Sequence, residues 1–424
     1  MQEKRFQNRI TLFTFALTIL VIWVHSVNLE PEMLEGAGLF VPRGNALYAA
    51  MLSAERFLTN ALGQMAVPGF FIVSGYLFFR NAPQRFSALW IVRKWRSRLF
   101  SVLLPYLVWN GIYYLGRILL GSFAGGGDVF LRLQEALSQM DGQDVFSALF
   151  LYAYNPVFWY LKQLLVLFLL TPFLWLLLKR RVIGAVMLPA FLFMAGFWSR
   201  IPVHPVNEDA LFYFAAGAYA ALSAGACRTE LPDRSKKDAY DRFAKRGDAA
   251  IPVVLTALFL ISAFCYALSA GHSRLLPLRF RSGEFLTLFL VLTRALFTAA
   301  AYAALRFLSE REPVHEKNGR LRAFLERDSL PGFMHINFFI YATHYIPVRA
   351  VNRFMLSVLP ALSGSAKDAV PASAAGGAGM LFSEVLLFLV YLLLPILCTA
   401  LAFAASLMLK RLLPPVWRVL SGGR

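Results

Sequence analysis

The sequence predicts an all-α, polytopic membrane protein, a bundle of about ten transmembrane helices with both termini cytoplasmic. Three observations carry that expectation. Of 424 residues, 58% are hydrophobic and only 16% charged, a balance more apolar than soluble domains show. The apolar residues gather in runs long enough to cross a hydrocarbon layer of about 30 Å. The basic residues gather in every second gap between those runs, on one side, as the positive-inside rule requires.

The runs lie near residues 10–28, 62–79, 100–120, 157–178, 182–198, 209–226, 251–270, 285–308, 333–351 and 381–409. With the N-terminus inside, inner segments hold Lys4, Arg5 and Arg9, then 80–98, 179–181, 228–246, 306–327 and the stretch from Lys410 onward. Those segments contain most of the 42 Lys and Arg residues, which makes this a multi-pass protein of the plasma or inner membrane. The formal charge of +18 arises from the same rule, so no nucleic-acid partner is expected. Cys227, Cys265 and Cys398 are far apart and offer neither a disulfide framework nor a metal pair. Lys4, Arg5 and Arg9 before an apolar run imitate a signal peptide, but the run ends in Trp23, Val24 and His25, not in small residues, and reads as an uncleaved span. The chain reads as a single domain, 1–424, with its core at about 9–410.

The first span organises the rest. At about 100° per residue, Thr11, Thr14, Thr18 and His25 share an arc of about 60° on a helix otherwise made of Leu, Ile, Val, Phe and Trp. With Arg9 at the inner surface, His25 lies a little over 20 Å into the membrane, at about 1.5 Å per residue. Such an imidazole is either an interfacial residue bonded to a loop or a group placed for chemistry.

The loop after it opens with Glu30, Glu32 and Glu35 and continues as an amphipathic stretch, residues 45–64, expected to lie on the membrane surface. In the second span Pro68, Gly69, Ser74 and Gly75 interrupt an apolar run, as a close helix–helix packing notch does. Arg93, Lys94, Arg96 and Arg98 then cluster before the third span. Positive-inside anchoring accounts for four basic residues, yet Arg93 and Arg96 are three apart on one helical face, where two guanidinium groups can grip phosphate oxygens. Trp159 and Tyr160, opening the fourth span, fit an aromatic belt, and Lys162 fits snorkelling to the interface. Arg294 sits nine residues into its span, where an arginine needs a partner or water. The ninth span places Asn337, Tyr341 and His344 on one face and supplies a second histidine. Residues 121–127 and 363–379 are small and flexible in composition. No phosphate-cradling glycine loop, HExxH or GxSxG motif is present.

Taken together these segments resemble the membrane-bound acyltransferase family 3, a ten-span family that includes surface-polysaccharide O-acetyltransferases. The resemblance is carried by LVIWVHS ending the first span, VPGFFIVSGYL, RxxR at Arg93 to Arg96 followed by SRLFSVLLPYLVWN, FWYLKQLLVLFLLTP, and IYATH at 340–344. It implies transfer of an acyl group, usually acetyl, from cytoplasmic acyl-CoA to a hydroxyl of a glycan or similar acceptor, with no bound cofactor or metal. The family's histidine matches His25, its RxxR matches Arg93 and Arg96, and its SGY motif matches Ser74, Gly75 and Tyr76. One departure is clear: many members carry an arginine eleven residues before the histidine, and here that position is Thr14. Arg294 is the candidate to supply the missing charge.

These pieces combine into a split site. Arg93 and Arg96 hold the CoA phosphates on the inner side, while Ser74, Gly75, Tyr76, Arg294 and His344 line the path of donor and acceptor. His25 acts as general base, since an imidazole of ordinary pKa near 6.5 suits that work at neutral pH. An acyl-enzyme is also open at this stage. The alternative from another class is a transporter or exporter of a lipid or acyl donor, in which His25, Arg294 and His344 line a translocation path.

Overall fold

The computed structural model describes residues 2–42, 44–124, 129–197, 206–229, 250–267, 283–310, 316–362 and 377–423. Nearly all of the charged inner segment 228–248, and parts of the stretches 121–127 and 363–379, lie outside them. Among the described residues every regular element is helical. In chain order the helices are α1 (Gln2–His25), α2 (Ala46–Arg56), α3 (Ala66–Phe79), α4 (Ala88–Arg98), α5 (Leu104–Ala124) and α6 (Val129–Ser138). Next come α7 (Gly142–Phe150), α8 (Trp159–Leu169), α9 (Thr171–Leu178), α10 (Arg181–Phe197) and α11 (Glu208–Thr229). They are followed by α12 (Ala250–Ala267), then α13 (Gly283–Glu310), α14 (Glu316–Glu326), α15 (Asn337–Thr343), α16 (Tyr345–Leu362), α17 (Gly377–Leu412) and α18 (Pro414–Leu420).

The all-α, membrane-spanning class is what the composition predicts, but the span count is lower than ten. Among the described residues six helices are long and apolar enough to cross: Glu3–His25, Ala46–Phe79, Ala88–Phe123, Ala250–Ala267, Gly283–Glu310 and Phe382–Leu412. A seventh is added if Pro156–Leu169 and Thr171–Leu178, bent by 63°, form one span. The other three expected runs are helical but differ in build. Helix α10 has 17 residues. Helix α11 opens with Glu208 and Asp209 and is rich in alanine and glycine. The run 333–351 is broken into a 3-10 turn (Gly332–Ile336), α15 and α16.

The chain divides into two compact units. One comprises Thr11–Val67 and Ser329–Leu412, the other Met1–Ile10, Pro68–Asp328 and Leu413–Arg424. We refer to them by their key side chains, as the histidine unit and the arginine unit.

In the histidine unit a buried apolar cluster joins Leu29, Leu34, Leu39, Val41, Tyr48, Met51, Leu359 and Leu387. The stretch expected to lie apart on the membrane surface is part of this core: α2 buries Tyr48, Met51 and Glu55 and runs on through a π segment, Phe57–Leu62, into α3. Its amphipathic pattern reflects one face packed on protein.

In the arginine unit, the inner end of α1 is tied down by charge. Arg9 pairs with Glu310 and Arg5 with Glu326 at 3.1 Å, Lys4 pairs with Asp328, and Arg80 meets Glu3 with both guanidinium nitrogens. Helix α10 packs against α11 and α13, and α5 packs against α6, α7 and α18. The closest crossing joins α3 to α11. A Cβ added at Gly75 would overlap the Phe214 carbonyl, and one at Gly217 would overlap the Ile72 carbonyl. The notch expected in the second span is therefore a reciprocal glycine contact in which backbone meets backbone.

That contact predicts opposite outcomes for two alanine substitutions. Gly217→Ala should lower stability by about 1–3 kcal/mol or prevent folding, because the overlapped atoms are backbone. Gly116→Ala on α5, where a Cβ meets nothing within 4 Å, should raise it by about 0.5–1 kcal/mol through helix propensity. Thermal unfolding of both variants in one detergent measures the difference.

Candidate functional site

In the histidine unit the site is built at the end of α1. The helix stops at His25 because the Ser26 amide turns back to the Trp23 carbonyl at 3.1 Å and its hydroxyl donates to the Ile22 carbonyl at 2.7 Å. The exit strand is then held by side chains distant in sequence. Asn352 donates to the carbonyls of Ser26 (3.1 Å) and Val27 (3.3 Å), and Asn28 donates to the Asn352 side chain (3.3 Å) and the Leu387 carbonyl (3.1 Å). The Glu55 carboxylate accepts the amides of Asn28 (3.4 Å) and Leu29 (3.1 Å), and the Tyr48 hydroxyl donates to the Leu29 carbonyl (3.0 Å). Asn28, Glu55 and Asn352 are buried, so each bond replaces one that water would otherwise supply.

His344 lies beside His25, with ring centroids 5.4 Å apart. It is fully buried, and its Nδ1 is 2.7 Å from the Tyr341 carbonyl oxygen. A carbonyl can only accept, so Nδ1 carries the proton and Nε2 keeps a bare lone pair. That Nε2 is buried with no hydrogen-bond partner among the described residues. The Tyr345 ring stands edge-on to His25 at 5.6 Å. Arg349 lies 5.4 Å over the Tyr345 ring and is close enough to act on His25 electrostatically. Lower on α1, Asn337 donates to the Thr14 hydroxyl at 3.0 Å and to the Thr11 carbonyl at 3.3 Å. The threonine face is thus matched by the Asn337 face, and position 14 has a neutral amide as its partner.

In the arginine unit the four basic residues of α4 separate into two pairs. Lys94 lies over the rings of Trp90 (5.6 Å) and Phe78 (5.9 Å), and Arg98 over Phe168 (5.5 Å). Arg93 and Arg96 are exposed, and neither has an ion-pair partner among the described residues. Ser87 caps α4 by accepting the Trp90 amide at 3.3 Å, and the Trp95 indole donates to the Phe168 carbonyl at 2.7 Å and the Thr171 hydroxyl at 3.2 Å. Those bonds clamp α4 to the bend between α8 and α9, leaving two guanidinium groups on one free face. A second π segment, Leu99–Leu103, comes directly after.

The Ser74 and Tyr160 hydroxyls are 3.3 Å apart, and Tyr160 is buried with its ring 4.7 Å from Phe71. Tyr160 is a packed, hydrogen-bonded side chain rather than an interfacial anchor. Lys162 lies 5.3 Å over the Tyr152 ring. Gly75 serves the crossing with α11, and Tyr76 sits 6.1 Å from the Phe6 ring. Arg294 is engaged from α11, by a hydrogen bond with Tyr213 and by the charge of Asp209. Of the residues expected to act together, His25 and His344 share one unit. Arg93, Arg96, Ser74, Gly75, Tyr76 and Arg294 belong to the other. Glu55, Asn352, Tyr345 and Arg349 escaped the sequence reading. For Glu55 the available signal was a carboxylate on the apolar face of an amphipathic stretch.

A family model described as an acyltransferase domain matches residues 10–407. The chain is also similar to the succinoglycan biosynthesis protein ExoH of Rhizobium meliloti (strain 1021), 30% identical over 173 residues, which is 39% of this chain and 43% of that protein. The match thus spans less than half the length of the relative. No solved structure matches.

The hydrogen bonds around residues 26–29 make Asn352→Leu a severe substitution. It removes the Asn352 donor from the buried carbonyls of Ser26 and Val27 and one acceptor from the Asn28 side chain, and should lower stability by about 1–3 kcal/mol. Thermal unfolding in detergent is the measurement.

Proposed function

The chain belongs to the membrane-bound acyltransferase family 3, whose model it matches over residues 10–407, and from that premise we propose that His25 is the general base of an O-acyl transfer. The donor is cytoplasmic acyl-CoA, acetyl-CoA in the first instance, and the acceptor is a hydroxyl of a cell-surface glycan. The protein works in the inner, or plasma, membrane. The observation that carries the proposal is the His25–His344 pair, two imidazoles 5.4 Å apart with the proton of His344 committed to Tyr341. The rings are not bonded as they stand, since Nε2 of His344 has no partner among the described residues, but a small rotation of either ring would let that nitrogen accept from one nitrogen of His25 and leave the other as a base.

The chemistry then balances without a further reagent. The acceptor oxygen attacks the thioester carbonyl carbon, the new C–O bond forms, the C–S bond breaks, and the hydroxyl proton passes to His25 and on to the CoA thiolate. Arg93 and Arg96, exposed and three residues apart, take the CoA phosphates as two forked donors. A glycan acceptor is supported by the relative named for succinoglycan biosynthesis.

Purified protein given acetyl-CoA and a hydroxyl acceptor tests the reading by thioester loss and product mass. His25→Ala should lower kcat by about 10²–10⁴-fold while the variant still inserts and elutes as the wild type does. Arg93→Gln and Arg96→Gln should each raise the KM for acetyl-CoA about tenfold or more, with a smaller change in kcat. An active His25→Ala enzyme, or movement of donor without covalent change, contradicts the proposal.

A further inference from the structure

Helices α5, α6 and α7, with the segment after α7, line an open cleft of about 380 Å³ in the arginine unit. Its scaffold is well tied. The Tyr106 hydroxyl donates to the Phe150 carbonyl at 2.8 Å, and Asn110 donates to the Leu149 carbonyl at 3.0 Å, fixing the end of α7 on α5. Two features of the lining are unlike ordinary packing. Tyr114 and Tyr154 stack with centroids 5.0 Å apart and planes 23° from parallel, and Arg117 lies 5.0 Å over the Tyr154 ring. Arg132 faces the same space from α6, with Gln139 and Asp144 beside it. Neither arginine has an ion-pair partner among the described residues.

We propose that this cleft binds an acidic sugar unit, one carrying a carboxylate or an equivalent anionic substituent. Its volume lies at the small end of the ligand-pocket range of roughly 300–1,000 Å³, enough for one or two sugar rings. Two arginines against the single carboxylate of Asp144 leave the lining net positive, and a guanidinium fork matches a carboxylate bidentately. The Tyr114–Tyr154 stack holds Arg117 over the Tyr154 ring and so fixes one guanidinium at the cleft, while Gln139 and Asp144 offer the donor and acceptor atoms that ring hydroxyls need. Position on α5 agrees. Arg117 lies 13 residues beyond Leu104, about 20 Å along the helix, from the end where the α4 arginines precede it. In the orientation that puts Arg93 and Arg96 inside, the cleft lies toward the outer side, where a glycan is met. The inference rests on the acyl-transfer reading for its place in the reaction, and on the cleft itself for binding.

The full chain in nanodiscs of zwitterionic lipid, titrated calorimetrically with a trigalacturonate and with a neutral glucan trisaccharide, tests it. The wild type should bind the acidic trisaccharide about tenfold or more tightly than the neutral one. Arg117→Gln and Arg132→Gln should each remove most of that preference, and Arg132→Lys should keep part of it. Equal affinity for the two sugars overturns the inference. So does loss of trigalacturonate binding when phosphatidylglycerol is included in the discs, which would make the cleft a lipid headgroup site. The wild-type comparison does not depend on any variant folding. Binding without acyl transfer leaves the cleft assignment standing and removes the proposed function. Transfer without binding does the reverse.

Discussion

A backbone carbonyl can only accept a hydrogen bond, and that limit decides what His344 can do. Its Nδ1 lies 2.7 Å from the Tyr341 carbonyl, so the imidazole is held in one tautomer with its lone pair on Nε2, in a place from which water is excluded. An unsatisfied buried acceptor carries a desolvation penalty of about 1–3 kcal/mol. The fold tolerates it next to His25, which ends a membrane-crossing helix. His25 is placed by the same economy of bonds: α1 stops there, and the exit segment is held by Glu55 from α2, by Asn352 from α16 and, through its own Asn28, by the Leu387 carbonyl of α17. The imidazole pair is therefore a product of the whole histidine unit.

The arginine unit shows how similar residues are divided between packing and solvent. Lys94 and Arg98 spend their charge on aromatic faces, whereas Arg93 and Arg96 stay exposed on the opposite side of the same short helix. The Trp95 indole, bonded at the α8–α9 bend, sets which side is which. One π segment comes after the RxxR stretch and another precedes α3 in the histidine unit. Such segments are rare and are found mostly at functional sites, and the one at Leu99–Leu103 adjoins the helix that carries Arg93 and Arg96.

Much of this was legible in the chain. The class came from composition and the spacing of basic residues, and the threonine face of α1 was visible from an arc of four positions. The partner of that face was not visible, because the Asn337–Thr14 bond joins residues 323 apart. Among the described residues six or seven helices are long and apolar enough to cross rather than ten, because α10 is short, α11 carries acidic and small residues, and 333–351 is broken into a 3-10 turn, α15 and α16. Gly75 resembled part of a ligand site, yet its contact is the Phe214 carbonyl. A glycine that lets helices touch and one that admits a ligand have the same sequence signature. For Glu55 the sequence showed only a carboxylate on the apolar face of α2; the two amides it caps, those of Asn28 and Leu29, lie 27 and 26 residues away.

Removal of a proton by His25 is tested most directly by chemical rescue. A hydroxyl acceptor needs that base, whereas hydroxylamine attacks a thioester at neutral pH without one. The His25→Ala protein should remain inactive toward the hydroxyl and transfer acetyl from acetyl-CoA to hydroxylamine at a rate near that of the wild type. Equal loss toward both nucleophiles, with acetyl-CoA binding intact, would rule out a general-base role for His25.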